Sequence, residues 1–295
     1  MQYARMPLDW PNRAYSSQID CRPHRWHVQQ HGVGPTLLLL HGAGASTHSY
    51  RDLFADLSRD HHVVAIDLPG QGFTQPGARQ RLGLEPMAQD VAALLAQMRL
   101  HPAAIIGHSA GAALALRLSQ ILQPQPQAII CINGALGNFE GLAGIVYPAM
   151  AKLMALNPLS ASLFSWLSSS EARVRSLLTA TGSAAAPDSV ALYCTLVADR
   201  AHVDGTLGMM AQWNLSPLLR DLPTINLPVL FLTGGRDKAV PPETSRAAAA
   251  AMQNATLQQV EELGHMMHEE DPARSAAIIR AYLTQNGIAP ALQAG

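Results

Sequence analysis

The chain has 295 residues, of which 48% are hydrophobic and 14% charged, and its net charge is −1. This length and apolar content suit one large domain with a substantial buried core. A near-neutral chain gives no electrostatic argument for a nucleic-acid partner, because such partners select a basic face. Three cysteines, odd in number and far apart, indicate neither a disulfide framework nor a metal site. We therefore expect no metal and no cofactor.

Signal peptides and membrane helices both require a long apolar run in the sequence. The first ten residues lack the apolar run of a signal peptide. No stretch approaches the roughly 18–20 uninterrupted apolar residues that a membrane helix needs. We expect a cytoplasmic protein without a transmembrane segment, and the sequence leaves contact with a membrane surface open.

Strands and helices alternate along most of the chain. The run of four leucines at 37–40 shows the strand signal, because its length and its glycine-bearing flanks favour a strand buried on both faces. The predicted strands are 18–21, 25–30, 37–40, 63–66, 103–106, 128–132, 229–232 and 257–260. The predicted helices are 85–99, 112–121, 243–252 and 272–283. This alternation predicts an α/β fold with a mostly parallel central sheet and helices on both faces.

One long stretch breaks the alternation. Residues 136–217 show helical patterns and no convincing strand. An all-helical insertion in an α/β sheet is best interpreted as a cap over an active site. The predicted organisation is therefore an α/β core of residues 1–135 and 218–295, with a helical cap at 136–217.

The candidate nucleophile is Ser109, in the G-x-S-x-G motif at 107–111. The motif follows a predicted strand and precedes a predicted helix, which is the context it requires. The glycines remove side chains that would collide at the sharp turn, and the helix N-terminus favours developing negative charge. The alternative is an ordinary turn that contains glycine and serine. A serine rather than an aspartate here argues against haloalkane dehalogenase or epoxide hydrolase chemistry.

A serine hydroxyl needs an adjacent base, and the base needs a third group to orient it. His265 lies between the last predicted strand and helix, in a loop expected at the carboxyl edge of the sheet beside Ser109. His268 is the rival base, although its place near the helix favours a packing or capping role. Asp237 follows the strand at 229–232 and is the predicted orienting acid. The alternative for Asp237 is a solvated turn residue.

A tetrahedral intermediate needs two backbone N–H donors for its oxyanion. We assign one to Ala110, directly after the nucleophile, and one to Ala43, in the glycine-rich loop that follows the strand at 37–40. Glycines beside Ala43 let the backbone approach a substrate closely. The alternative is a plain glycine turn. His41 is expected to brace this loop, and whether His48 lines the pocket is left open.

Together these motifs resemble the α/β-hydrolase superfamily over residues 16–284. The resemblance rests on HGAG at 41–44, DLPGQG at 67–72, GHSAG at 107–111, Asp237, and GH at 264–265. It implies the α/β-hydrolase fold, in which nucleophile, acid and base follow in that order. The strings DWPNR at 9–13, WHVQ at 26–29 and AGASTHS at 43–49 resemble the magnesium-chelatase accessory hydrolases (BchO type) of bacteriochlorophyll gene clusters. That resemblance implies contact with magnesium chelatase and a link to magnesium insertion into protoporphyrin, but it establishes no reaction.

The sequence therefore predicts a serine hydrolase that acts on an ester-type bond and has a large apolar pocket. Methionine adapts to irregular apolar shapes, and with cap aromatics it fits a porphyrin or its ester. The predicted pocket residues are His48, His108, Met150, Met154, Trp166, Met210, Trp213 and Met266. The alternative is that they are ordinary cap core.

The second function hypothesis is a non-catalytic porphyrin-binding accessory protein for magnesium chelatase, which keeps the fold and uses its cavity. The complete set of serine, histidine and aspartate favours the hydrolase. Metal binding by the twelve histidines is disfavoured, because their spacing shows no ligand cluster.

Overall fold

The computed structural model describes residues 1–137 and 170–291, and it builds them around one eight-stranded sheet. The strands are β1 Ser16–Cys21, β2 His24–His31, β3 Thr36–Leu40, β4 His62–Ile66, β5 Ala104–His108, β6 Ala128–Ile132, β7 Val229–Gly234 and β8 Ala255–Val260. Their order is β1-β2-β4-β3-β5-β6-β7-β8. The β1–β2 and β2–β4 pairs are antiparallel, whereas the six strands β3 to β8 are mutually parallel. The predicted mostly parallel sheet is confirmed.

Helices cover both faces of this sheet. They are α1 Arg51–Leu57, α2 Leu84–Met98, α3 Ala110–Ile121, α4 Glu171–Ala180, α5 Pro187–Ala198, α6 Arg200–Gln212, α7 Ser216–Asp221, α8 Pro242–Ala250, α9 Met267–Glu270 and α10 Pro272–Gln285. Helices α2, α3 and α8 contribute to the hydrophobic cluster on one face, and α1 and α10 to the cluster on the other. Every predicted strand and helix is present, with shifts of at most two residues at each end. Helices α1 and α9 were not predicted.

Strand β3 shows why an uninterrupted apolar run becomes a central strand. Leu38 and Leu40 pack into the first cluster, whereas Leu37 and Leu39 pack into the second. All four are fully buried. Successive side chains of a strand point to opposite faces, so a strand covered on both sides must be apolar at every position.

A third buried cluster joins distant parts of the chain. It contains Met6, Trp10, Ala45, Phe73, Val174, Leu178, Val190, Tyr193, Leu196 and Met266. These residues come from the N-terminal segment, from loops at the carboxyl edge of the sheet, and from helices α4 and α5. We call this set the cap cluster.

Helices alone make up the regular structure of residues 170–217, which are the described part of the predicted cap. Residues 138–169 lie outside the described residues. The division into core and cap at 136 and 217 therefore stays a prediction. Among the helices that the structure describes, none is both long enough and apolar enough to span a membrane.

Candidate active site

The predicted nucleophile lies on a strained turn between β5 and α3. Ser109 has φ 52° and ψ −116°, a conformation that L-residues rarely adopt. A Cβ atom added to Gly107 would lie 2.2 Å from the carbonyl oxygen of Gly111, and one added to Gly111 would lie 2.1 Å from that of Leu40. Only glycine fits at these two positions. The Ser109 N–H donates to the carbonyl of Ile132 (2.9 Å), which ties the turn to β6.

The predicted base and acid are in direct contact. His265 Nδ1 lies 2.7 Å from Asp237 Oδ2, and both residues are buried, with exposures of 9% and 6%. The other carboxylate oxygen of Asp237 accepts the N–H groups of Ala239 and Val240, each at 2.8 Å. An ionised carboxylate only accepts, so Nδ1 carries the proton and Nε2 is left as the basic nitrogen of the ring. This is the tautomer that a general base for a serine requires.

Ser109 and His265 lie at the same edge of the sheet. The rings of His108 and His265 have centroids 4.8 Å apart, and Ser109 directly follows His108. Within residues 1–137 and 170–291, no hydrogen bond joins the Ser109 hydroxyl to His265. Such bonds are commonly long without substrate and tighten in the substrate complex.

Two side chains that the sequence did not assign to this role hold the main chain of the base. Asn133 Nδ2 donates to the carbonyls of His265 (2.6 Å) and Gly264 (2.9 Å), while its Oδ1 accepts the N–H of Gly234 (2.7 Å). His108 Nε2 donates to the same His265 carbonyl at 2.9 Å. Asn133 thereby ties the base loop to the end of β7, three residues before the acid. Burial, with His268 and His265 nearby, holds the pKa of His108 well below its ordinary value, so its ring is neutral.

The rival base, His268, makes different contacts. Its Nε2 lies 2.9 Å from the hydroxyl of Ser49, which itself donates to Glu269 at 2.6 Å. Ser49 can therefore only accept from His268, which fixes the proton on Nε2. Burial and the neighbouring His265 lower the pKa of His268 to about 3. The geometry favours His265 as base.

The loop of the predicted oxyanion hole is held from several sides. His41 Nδ1 donates to the carbonyl of Gly42 (2.7 Å), and its Nε2 accepts the N–H of Leu68 (2.9 Å). The bracing role expected for His41 is confirmed. The N–H of Ala43 has no hydrogen-bond acceptor among the residues that the structure describes, so it is available to a ligand. Ala110 is the first residue of α3, where N–H groups have no partner within the helix.

The predicted pocket residues have varied environments. Met150, Met154 and Trp166 lie outside the described residues. Met266 is buried in the cap cluster, Met210 is 48% exposed, and Trp213 is half-buried against the core. The pocket role of all of them stays a prediction.

The two histidines of the predicted pocket are buried. His48 packs edge-on against Tyr193 of α5, with ring centroids 4.6 Å apart, and near Trp10 at 5.7 Å. Its Nε2 has no partner among residues 1–137 and 170–291. Burial holds the pKa of His48 well below its ordinary value. The ring of His108 lies beside those of His265 and His268, and its Nε2 donates to the His265 carbonyl.

A buried carboxylate that the sequence did not single out links helix α5 to the sheet-bearing part of the chain. Glu269 accepts hydrogen bonds from Ser49 and Arg51 of the core. It also accepts bonds from Ser189 (3.1 Å) and Tyr193 (3.0 Å) of α5. Helix α5 is thus hydrogen-bonded to Glu269, which lies four residues after the predicted base His265 in the sequence. In the described parts of the chain, no group of three or more His, Cys, Asp or Glu side chains converges on a metal position.

Comparison with known proteins agrees with this architecture. A sequence model of the alpha/beta hydrolase fold matches residues 35–272. The structure superposes on an esterase from Exiguobacterium antarcticum with a TM-score of 0.76 and 17% identity, covering 91% of this chain and 99% of that one. It superposes on a bromoperoxidase from Bacillus anthracis with a TM-score of 0.77 and 16% identity, covering 91% and 99%. At such identities the likeness establishes the fold alone.

The chain belongs to the α/β-hydrolase-fold family. Within that family, it is 43% identical over 266 residues to the magnesium-chelatase 30 kDa subunit of Rhodobacter capsulatus. The match covers 90% of this chain and 93% of that protein. The two proteins therefore belong to one family, which confirms the resemblance predicted from this sequence.

Proposed function

We propose that this protein is a serine hydrolase that transfers an acyl group from an ester to water. The observation that carries the proposal is the buried contact between His265 and Asp237, which leaves Nε2 of the imidazole as a base at the same sheet edge as Ser109. The strained turn at Ser109 and the available N–H of Ala43 add independent support. The site contains a group for each task that acyl transfer requires.

The proposed reaction begins when His265 Nε2 takes the proton of the Ser109 hydroxyl. The serine oxygen bonds to the ester carbonyl carbon, and the carbonyl π electrons move onto its oxygen. The N–H groups of Ala43 and Ala110 stabilise this oxyanion, each by a factor of about 10²–10³ in rate. The intermediate then expels the alkoxide, which takes the proton from His265 and leaves as the alcohol.

Deacylation repeats these steps with water in place of the serine. His265 takes a proton from water as the water oxygen adds to the acyl carbon. The second intermediate expels the Ser109 oxygen, which recovers its proton from His265. An acid and an alcohol are released, and the enzyme is regenerated.

Covalent labelling tests this proposal directly. In a fluorophosphonate probe, the Ser109 oxygen bonds to phosphorus and fluoride leaves. We expect wild type and the control Ser119→Ala to be labelled, since among the described residues the Ser119 hydroxyl bonds only to the Leu116 carbonyl of α3. Ser109→Ala should not be labelled. An unlabelled wild type that also fails to hydrolyse p-nitrophenyl butyrate would refute the proposal.

We further propose that the substrate is a large apolar ester and that the protein works with magnesium chelatase. The similarity to the magnesium-chelatase 30 kDa subunit supports this context. The methionines of the predicted cap support a porphyrin or its ester as ligand. The cytoplasmic location expected from the sequence stays part of the proposal.

The same similarity favours a second candidate, a porphyrin-binding accessory protein that uses no catalysis. Titration with protoporphyrin, followed by absorbance, measures binding. Complementation of a strain lacking the gene then separates the two candidates. Growth restored by wild type but not by Ser109→Ala supports the hydrolase, whereas equal restoration by both supports the accessory protein.

A further inference from the structure

Helix α6 of the predicted cap lies directly on the loop that follows β4, with backbone against backbone. A Cβ atom added to Gly205 of α6 would lie 2.0 Å from the carbonyl oxygen of Gly70, and one added to Gly70 would lie 2.9 Å from Gly205 Cα. No side chain fits between the two. This contact fixes the distance between the helix and the loop, and it brings other groups of α6 within hydrogen-bond reach of the core.

One such group is the imidazole of His202, which is 1% exposed. Its Nδ1 accepts the N–H of Gly72 at 3.0 Å, and its Nε2 lies 3.2 Å from the carbonyl oxygen of Gly44. Because Nδ1 accepts, the proton is on Nε2 and is donated to Gly44. Burial lowers the pKa of His202 to about 4, so the ring is neutral at pH 7 and can make both bonds.

Gly44 is clamped on its other side as well. Its N–H donates to Gln71 Oε1 at 2.6 Å, while the amide nitrogen of Gln71 lies 3.0 Å from the sulfur of Met209, also on α6. Gly44 has φ +79°, in the left-handed region, so its peptide orientation depends on such partners. The peptides on both sides of Gly44 are thus held by groups that α6 supplies or contacts.

We propose that His202 is a positioning residue that couples the docking of helix α6 to the oxyanion hole. Gly44 directly follows Ala43, whose N–H is the proposed oxyanion donor. Holding the Gly44 carbonyl keeps the 43–45 backbone in the one conformation that aims this N–H at the reacting carbonyl. A donor must be positioned before charge develops, because its benefit comes from needing no rearrangement. The inference rests on the proposed hydrolase function.

The two nitrogens of His202 can be tested separately. In His202→Asn the short amide reaches Gly72, in place of Nδ1, but not Gly44. In His202→Gln the longer amide reaches Gly44, in place of Nε2. The matched control is His24→Asn, because His24 is also buried and also accepts a backbone N–H on Nδ1, from Gly77, while its Nε2 bonds Asp90. Each variant is assayed for kcat and KM on p-nitrophenyl butyrate, fluorophosphonate labelling rate and free energy of unfolding.

We expect His202→Asn to lower kcat by about 10- to 100-fold, with KM within about twofold of wild type, because a misplaced donor affects the transition state. The labelling rate should fall by a similar factor. His202→Gln and His24→Asn should keep kcat within about threefold. If His202→Asn does not fold, Gln71→Met removes the other half of the clamp and should give the same loss of kcat.

Two outcomes overturn the inference while the proposed hydrolase function stands. One is a folded His202→Asn, or Gln71→Met in its place, with the kcat of wild type. The other is activity that follows only the free energy of unfolding, with the asparagine and glutamine variants equally impaired. An inactive and unlabelled wild type refutes the hydrolase function itself, and the positioning role with it.

Discussion

Asn133 offers the sharpest test of how the base loop is held. Asn133→Ala removes three buried hydrogen bonds, two donated to the base loop and one accepted from Gly234. A neutral hydrogen bond contributes about 1 kcal/mol net, and a buried partner left unpaired costs about 1–3 kcal/mol. His108 still serves the His265 carbonyl, so the orphaned groups are the Gly264 carbonyl and the Gly234 N–H. Asn133 also has φ 45°, which asparagine tolerates better than alanine does.

The expected loss in free energy of unfolding is therefore roughly 3–5 kcal/mol, measured by urea denaturation. At a temperature where the variant is folded, kcat on p-nitrophenyl butyrate should fall by about 10-fold or more, because the base loop is freed from the end of β7. The control is Asn254→Ala, since the exposed Asn254 amide donates to the carbonyl of Asn226 and to no other group in the described part of the chain. A loss below about 1 kcal/mol with unchanged kcat would show that the three bonds do not hold the base.

Three further predictions follow from the site. Asp237→Asn should lower kcat by about 10⁴, because it loses the ionised acceptor that fixes the tautomer of His265; unchanged kcat would exclude Asp237 as the orienting acid. Burial lowers the pKa of His202 from 6.5 to about 4, so its stabilising contribution is complete above pH 6.5 and is lost as the pH falls toward 4. Urea unfolding at pH 7 and pH 4 measures how much the free energy of unfolding falls between the two. In His202→Gln this fall should be smaller than in wild type by roughly 1–3 kcal/mol, and an equal fall would contradict a neutral buried ring. Gly205→Ala should displace α6 and lower both kcat and the unfolding midpoint, since its Cβ would lie 2.0 Å from the Gly70 oxygen; wild-type values would show that the helix moves at no cost.

Most of the sheet and the nucleophile turn were predictable because their signals are local. A strand buried on both faces must be apolar at each position, as the run at 37–40 is. Glycine is required at positions 107 and 111, because an added Cβ atom would lie 2.1–2.2 Å from a backbone oxygen. The order of strands also predicted which loops meet at one edge. Helix α1 escaped prediction, because its seven residues from Arg51 to Leu57 are too short for a clear helical period.

The supporting contacts were less accessible to sequence reasoning. Asn133 did carry a signal, since a polar residue directly after β6 falls at the same edge as the other site loops. His202 carried none, because its partner Gly44 is 158 positions away and only the docked helix brings them together. Glu269 joins Ser49, 220 positions away, to Ser189 and Tyr193 of helix α5. Pairings over such separations depend on packing that no short window of sequence contains.

The cap cluster has a consequence for how this protein can be engineered or can diverge. Trp10 packs edge-on against Phe73 with ring centroids 5.0 Å apart, in the same buried set as residues of α4 and α5 and as Met266 beside the base. A chimera that exchanged residues 136–217 alone would cut through this shared hydrophobic core. The predicted cap therefore cannot be exchanged as a separate module: a foreign segment would need side chains that pack against those at positions 6, 10, 45, 73 and 266.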